Sequence, residues 1–168
     1  RTVVWGDGDS AESPLTRFLC GGASVHFYER IKMNEKRQYY ANPRNQFWKN
    51  VYALFGGTPD ADYAQRTAFL LDKGIGLWDV LASCRREGSS DANIRDPVPN
   101  DFARFFAGHP AVERVYFNGG TAEALFHRLV LGRMRIREGL AFRRLPSTSP
   151  ANAVPWEVKL AEWKNIMI

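Results

Sequence analysis

The chain has 168 residues, enough for one domain with a substantial core. Its formal charge of +5 and isoelectric point near 9.4 favour a polyanionic partner. No apolar run is long enough to cross a bilayer and no signal peptide is recognisable, so we expect a cytoplasmic monomer with no membrane partner. Cys20 and Cys84 lie in apolar contexts typical of reduced thiols, and the three histidines lack metal-site spacing, so we expect no metal and no cofactor.

The N-terminal part of the chain contains one predicted strand between two polar segments. Residues 1–16 are polar and are predicted as a loose N-terminal arm, and the apolar run Arg17–Gly21 predicts a strand. Residues 23–37 form a basic insertion loop, either a solvated charged face or a contact to nucleic acid. Its basic side chains are Arg30, Lys32, Lys36 and Arg37.

The remaining predicted elements alternate between helices and strands. Helices are predicted over residues 46–55, 60–73, 100–108, 120–131 and 155–166, with Asn45, Asp60 and Asn100 as N-caps. Strands are predicted over 75–83, 112–117 and 139–144, and residues 85–99 are predicted as a polar loop. This order predicts a single domain over residues 1–168, a three-layer α/β/α sandwich with a central four-stranded parallel sheet.

Ligands of such sheets bind beyond the carboxyl ends of the strands. That rule brings four segments to one edge: Gly21-Gly22, the region of Asp79, Asn118-Gly119-Gly120, and Ser147-Thr148-Ser149. The paired glycines lack the pattern and the acidic residue of a dinucleotide-binding turn. We therefore expect a ligand other than a nicotinamide or flavin cofactor.

Two tyrosines precede the first predicted helix. Pro43 disfavours helix at Asn42, so Tyr39 and Tyr40 lie in extended or loop backbone next to a helix that Asn45 caps. A flat ring held by a rigid element suits a planar ligand such as a nucleic-acid base. The alternative interpretation is a buried aromatic cluster.

Asp79 and the loop around Ser147 each have two interpretations. A carboxylate inside an apolar strand is costly unless it is satisfied, so Asp79 either forms a salt bridge or loop cap, or accepts a hydrogen bond from a ligand N–H. Hydroxyls in the segment 146–150 suit phosphate oxygens, or they form local side-chain-to-backbone turns.

Together these segments resemble the uracil-DNA glycosylase superfamily, and most closely its hypoxanthine-DNA glycosylase and mismatch-specific branch. The resemblance covers residues 38 to 168 and rests on four ordered motifs. They are Tyr-Tyr-Ala-Asn-Pro-Arg-Asn-Gln-Phe-Trp (39–48), residues 74–96 with Leu-Trp-Asp-Val-Leu-Ala-Ser-Cys, Phe-Asn-Gly-Gly (117–120), and residues 145–152.

The resemblance implies a role for each motif. Tyr40 would stack on the extruded base, and Asp79 and Asn118 would bind its edge. Ser147, Thr148 and Ser149 would contact the DNA strand from the minor-groove loop. Two features depart from the family: Gly21-Gly22 stands where many members carry a catalytic Asn or Asp, and Leu145 replaces a histidine that some members use.

The function that these expectations support is a monofunctional DNA glycosylase of base excision repair. It would hydrolyse the N-glycosidic bond of deaminated bases in DNA, uracil first, and leave an abasic site. Backbone N–H groups of Gly21 and Gly22 would stabilise the departing base, and Asn42 or Asn45 would orient the attacking water. Two alternatives stay open: excision of hypoxanthine or xanthine, and non-catalytic binding of damaged or abasic DNA.

Overall fold

The computed structural model describes residues 17–21, for which only the backbone is considered, and residues 38–85 and 93–167. The predicted N-terminal arm, Gly22 and the basic insertion loop with Arg30, Lys32, Lys36 and Arg37 lie outside the described residues.

Strands and helices alternate along the described chain. The strands are β1 (Arg17–Gly21), β2 (Ile75–Asp79), β3 (Leu81–Arg85), β4 (Arg95–Pro99), β5 (Arg114–Asn118) and β6 (Ala141–Leu145). The helices are α1 (Phe47–Phe55), α2 (Tyr63–Asp72), α3 (Phe102–Gly108), α4 (Gly120–Phe126) and α5 (Trp156–Trp163). A π-helical turn, His127–Leu131, continues α4, and a 3-10 turn, Lys164–Met167, continues α5.

The main sheet has four strands in the order β2-β1-β5-β6, and each neighbouring pair is parallel. The predicted α/β class is confirmed. Parallel strands need crossover connections, and here helices supply them, so all four carboxyl ends share one edge of the sheet.

Alternating side chains of β2 and β5 divide the interior into two cores. On β2, Ile75 and Leu77 point to the α1–α5 core, whereas Trp78 belongs to the α3–α4 core. On β5, Tyr116 points to the α1–α5 core and its neighbours to the other. This alternation puts apolar residues on both faces of the sheet, as strands covered by helices on both sides require.

The predicted strand 75–83 is wrong in its extent, because the chain leaves the main sheet after Asp79. The backbone N–H of Asn100 donates to the Val80 carbonyl at 2.9 Å, and Nδ2 of Asn100 donates to the Asp79 carbonyl at 2.8 Å. Beyond this point β3 pairs antiparallel with β4, and β4 lies within the segment 85–99 that was predicted as a loop. The edge strand β4 contains two prolines, which conceals it from a strand-pattern search.

All three predicted N-caps are displaced by one or two residues, and the N-cap position of α1 is Gln46. The side chain of Asp62 caps α2 by accepting from the N–H of Ala64, and that of Asp101 caps α3 by accepting from the N–H of Arg104. The predicted cap Asp60 instead accepts from the Tyr52 hydroxyl, because the preceding loop packs back onto α1.

Candidate active site

The carboxyl edge of the main sheet brings the predicted site segments together. Gly21 pairs with Asp79 where β1 and β2 end, and Asn118 pairs with Leu145 where β5 and β6 end. The order of strands therefore places the buried carboxylate at one end of the edge and the Ser-Thr loop, which follows β6, at the other.

Tyr40 is fixed by its backbone, its ring and its hydroxyl. Its φ of 55° lies in the left-handed region, which is uncommon for an aromatic residue and marks a constrained turn. The ring stacks on Phe47 with centroids 4.0 Å apart and planes at 15°, and the hydroxyl accepts from Nδ2 of Asn118 at 2.9 Å. Phe47 is fully buried, so a flat ligand can stack only on the opposite face of Tyr40.

Asn118 connects Tyr40 to the loop after β6. Its Nδ2 donates to the Tyr40 hydroxyl and, at 2.8 Å, to Oγ1 of Thr148, while its Oδ1 accepts from the N–H of Thr148 at 2.9 Å. An amide has two donors and two acceptor lone pairs, so one lone pair of Oδ1 is left for a ligand. Asn118 thus orders the site, and it could contact a base only as an acceptor.

The loop of residues 146–152 is closed by its own hydrogen bonds. Oγ of Ser147 accepts from the N–H of Ser149, and Nδ2 of Asn152 donates to the Ser147 carbonyl at 2.9 Å. Thr148 is fully buried, so a direct contact of its side chain with DNA does not fit this geometry. Ser147 and Ser149 are half-buried, and each keeps a hydroxyl proton to donate to a phosphate oxygen.

Gly119 lets this loop approach the end of β5. Its φ of 100° is in the left-handed region, and a Cβ added there would lie 2.9 Å from Cβ of Ser147. Its N–H donates to the Leu145 carbonyl at 3.0 Å. Only glycine satisfies both the backbone angle and the close contact at this position.

Asp79 lies in a buried environment shared with two tyrosines. It is 6% exposed, and its negative charge acts on the nearby hydroxyl of Tyr39. Burial raises the pKa of the Tyr39 hydroxyl, and the negative charge of Asp79 raises it further. The pKa of Tyr63, whose hydroxyl accepts from the N–H of Tyr39 at 3.1 Å, is also raised, chiefly by burial. Asp79 thus shares its buried environment with a phenol whose pKa is raised.

Asn42 and Asn45 occupy different environments in the turn before α1. Asn42 is exposed, and its Oδ1 accepts from the N–H of Arg44 at 2.9 Å in a local turn. Asn45 is half-buried, and its Oδ1 accepts from the N–H of Phe47 at 2.9 Å in a local turn. The N-cap position of α1 is Gln46, so the predicted cap at Asn45 is wrong by one residue. Among the described residues, Nδ2 of Asn45 has no hydrogen-bond partner, which makes Asn45 the better candidate for a contact with water or DNA.

Sequence reasoning missed two residues of this region. Tyr39 was grouped with Tyr40 as a ligand-stacking candidate, but Tyr39 instead lies near enough to Asp79 for the charge of that carboxylate to raise its pKa. Lys159 was missed altogether, although it lies three residues after Trp156 and four before Trp163, on the apolar side of α5. A lysine at helical spacing between two tryptophans is a signal of burial.

Proteins of known description resemble this chain in sequence and in structure. No protein-family model matches the chain. A hypoxanthine DNA glycosylase of Methanosarcina acetivorans is 35% identical over 132 residues, which are 78% of this chain and 80% of that protein. The chain belongs to the uracil-DNA glycosylase superfamily.

Further likenesses agree with this family assignment. A hypoxanthine DNA glycosylase of Methanosarcina barkeri is 36% identical over 85 residues, which are 50% of this chain and 54% of that protein. The solution NMR structure of a candidate uracil DNA glycosylase from Methanosarcina acetivorans superposes with a TM-score of 0.72 at 30% identity, covering 93% of this chain and 91% of the other. The α/β fold is thus that of the superfamily.

The superfamily assignment agrees with what the described part of the chain offers for ligands. Within it, no group of three or more His, Cys, Asp or Glu side chains could hold a metal ion. None of its helices is both long and apolar enough to cross a bilayer. The polar groups at the sheet edge are amide, hydroxyl, carboxylate and backbone groups, which suit a base and a phosphate.

Proposed function

We propose that this protein is a monofunctional DNA glycosylase that removes deaminated bases, with hypoxanthine as the first substrate to test and uracil as the second. One observation carries the proposal: a fixed aromatic ring, Tyr40, and a buried carboxylate, Asp79, both lie at the same edge of the sheet. The names of the two relatives favour hypoxanthine over uracil, which the sequence alone had placed first.

Recognition follows from the chemistry of these two side chains. A base must leave the stack to reach a site at the sheet edge, and its ring then stacks on the face of Tyr40 opposite Phe47. Hypoxanthine and uracil both present a ring N–H, whereas adenine and cytosine present a bare acceptor at the corresponding nitrogen. An ionised carboxylate only accepts hydrogen bonds, so Asp79 favours hypoxanthine over adenine and uracil over cytosine.

Bond cleavage requires stabilisation of the departing base and a positioned water. The glycosidic bond breaks with its electron pair moving to the base, and the oxygen of a water molecule adds to C1′ of the sugar and releases a proton. The backbone at Gly21, where β1 ends beside Asp79, stabilises negative charge on the base. Asn45, half-buried next to α1, orients the water better than the exposed Asn42. The serines of the loop 146–152 hold the phosphates.

The test is incubation with oligonucleotides that carry one hypoxanthine, xanthine or uracil, single-stranded and duplex, followed by alkali to cleave abasic sites. Matched oligonucleotides with adenine, guanine or cytosine at the same position are the controls. We expect strand cleavage with the deaminated bases only, and only after alkali, since none of the lysines that the structure describes is placed for a lyase step.

Binding without cleavage of any of these substrates would reject the glycosylase and favour a binder of damaged DNA. Cleavage of uracil with no cleavage of hypoxanthine would retain the glycosylase and reverse the order of substrates.

A further inference from the structure

Lys159 is a buried cation outside the edge of the sheet. It lies on α5 with 1% of its surface exposed, and its Nζ donates to Oε1 of Gln46 at 2.9 Å and to the carbonyl of Asn152 at 2.8 Å. Among the described residues, no carboxylate forms an ion pair with it. Burial lowers the pKa of its ammonium group. A buried charge with neutral partners alone is costly, which calls for a reason.

Its two acceptors belong to the two segments that surround the site. Gln46 stands between Asn45 and the first residue of α1, and its N–H donates to the Thr148 carbonyl at 3.0 Å. Asn152 closes the loop 146–152, because its N–H donates to the Ser149 carbonyl at 3.0 Å. From its buried position on α5, Lys159 therefore connects the residue before α1 to the end of the loop 146–152.

A second contact fixes α5 in register with α1. One turn away from the Lys159–Gln46 bond, Nε1 of Trp156 donates to Oδ1 of Asn50 at 2.8 Å, and Asn50 is fully buried. Trp156 and Lys159 are three residues apart on α5, and Gln46 and Asn50 are four apart along α1. The Trp156–Asn50 and Lys159–Gln46 hydrogen bonds join α5 to the first part of α1 at two points, which restricts the movement of the Lys159 amine.

We propose that Lys159 is a positioning residue that holds the loop 146–152 against the Asn45-Gln46 turn at the separation that DNA cleavage requires. The proposal rests on the proposed function for its catalytic consequence. Because it is buried, Lys159 acts through Gln46 and Asn152 and touches neither DNA nor water. Only a side chain with more than one donor on a long stem can reach both acceptors, which explains a lysine at this buried position.

The test compares Lys159→Met, which keeps the length of the side chain and removes its donors, with Lys164→Met, which changes an exposed lysine of the same C-terminal segment. Three quantities are measured: the melting temperature, hydrogen exchange of the Gln46 and Asn152 amides, and single-turnover excision with excess enzyme. The affinity for a duplex with an abasic-site analogue is measured alongside them.

For Lys159→Met we expect a melting temperature close to that of the parent, because loss of a costly buried charge offsets two acceptors left unpaired. Exchange of both amides should rise about tenfold or more as the loop loosens. Excision should slow roughly tenfold to a hundredfold, since small displacements of positioned groups have effects of this size. Lys164→Met should match the parent in every measurement.

A second variant isolates the contact to α1. Gln46→Leu removes one acceptor and keeps the backbone N–H that binds Thr148. If Lys159 acts through Gln46, adding Gln46→Leu to Lys159→Met should slow excision much less than it does in the parent. If the two substitutions slow excision independently, so that their effects are fully additive, Lys159 does not act through Gln46.

Parent-like exchange and excision in Lys159→Met would overturn the proposal. So would a large fall in melting temperature with an unchanged rate per folded molecule, because that result assigns Lys159 a purely structural role. If the parent cleaves none of the substrates, the proposed function fails, and amide exchange together with abasic-DNA affinity still decides whether Lys159 holds the loop.

Discussion

The hydroxyl oxygen of Tyr40 lies 2.9 Å from Nδ2 of Asn118, a residue 78 positions later in the chain. The same nitrogen donates to Thr148 in the loop after β6. One amide group therefore ties together the stacking ring, the end of a central strand and the loop that faces DNA in the proposed function. Displacement of any of these three parts must shift the other two.

Two substitutions of Tyr40 separate its ring from its hydroxyl. Tyr40→Ala should slow single-turnover excision roughly 5- to 150-fold, because stacking on a base contributes about 1–3 kcal/mol. Tyr40→Phe keeps the stack on Phe47 and removes one acceptor of Asn118, so we expect a loss below about tenfold. Rates are compared well below each melting temperature. A parent-like rate in Tyr40→Ala would assign the ring to the core alone.

Asp79→Asn tests base recognition with almost no change in shape. The amide can turn donors toward the base, so excision of hypoxanthine and uracil should fall about tenfold or more. Asp96→Asn, an exposed aspartate whose positive φ asparagine tolerates well, is the matched control and should keep the parent rate. Equal rates in the parent and Asp79→Asn would show that Asp79 does not recognise the base and has a structural role.

Gly119→Ala should disturb the contact between the end of β5 and the loop. The new Cβ would lie 2.9 Å from Cβ of Ser147, and φ of 100° is strained for alanine, so we expect a loss of about 1–3 kcal/mol in the free energy of unfolding. Gly108→Ala is the control, because an added Cβ meets nothing within 4 Å there. Denaturant unfolding measures both, and equal stability of the two variants would contradict the packing described here.

The raised pKa of Tyr39 predicts a loss of stability at alkaline pH. The unfolded chain releases this proton near the ordinary value of 10.0, while the folded protein retains it, so folding is favoured below that pH and weakens as the pH rises above it. Tyr39→Phe should therefore show a shallower decline in unfolding free energy between about pH 9 and pH 11. Because Tyr63 also has a raised pKa, some decline should remain. Identical slopes would show that Tyr39 titrates normally.

Much of the fold follows from local sequence patterns. Apolar runs predicted β2 and β5, because a strand buried on both faces is largely apolar. The strand β6 was predicted as well, although most of its residues are exposed or half-buried. The hairpin of β3 and β4 escaped prediction, because its strands are partly exposed and one contains two prolines. Propensity carries no information about pairing with a strand ten or more residues away.

The sequence by itself determined the family and the edge at which the site lies, since both depend on ordered motifs and on strand direction. Only the tertiary structure decided what each polar side chain does there. Tyr39 shares a buried environment with Asp79, Thr148 is buried, and Lys159 joins the start of α1 to the loop. These roles depend on hydrogen bonds between residues up to 113 positions apart, whose geometry is fixed only when the helices pack on the sheet.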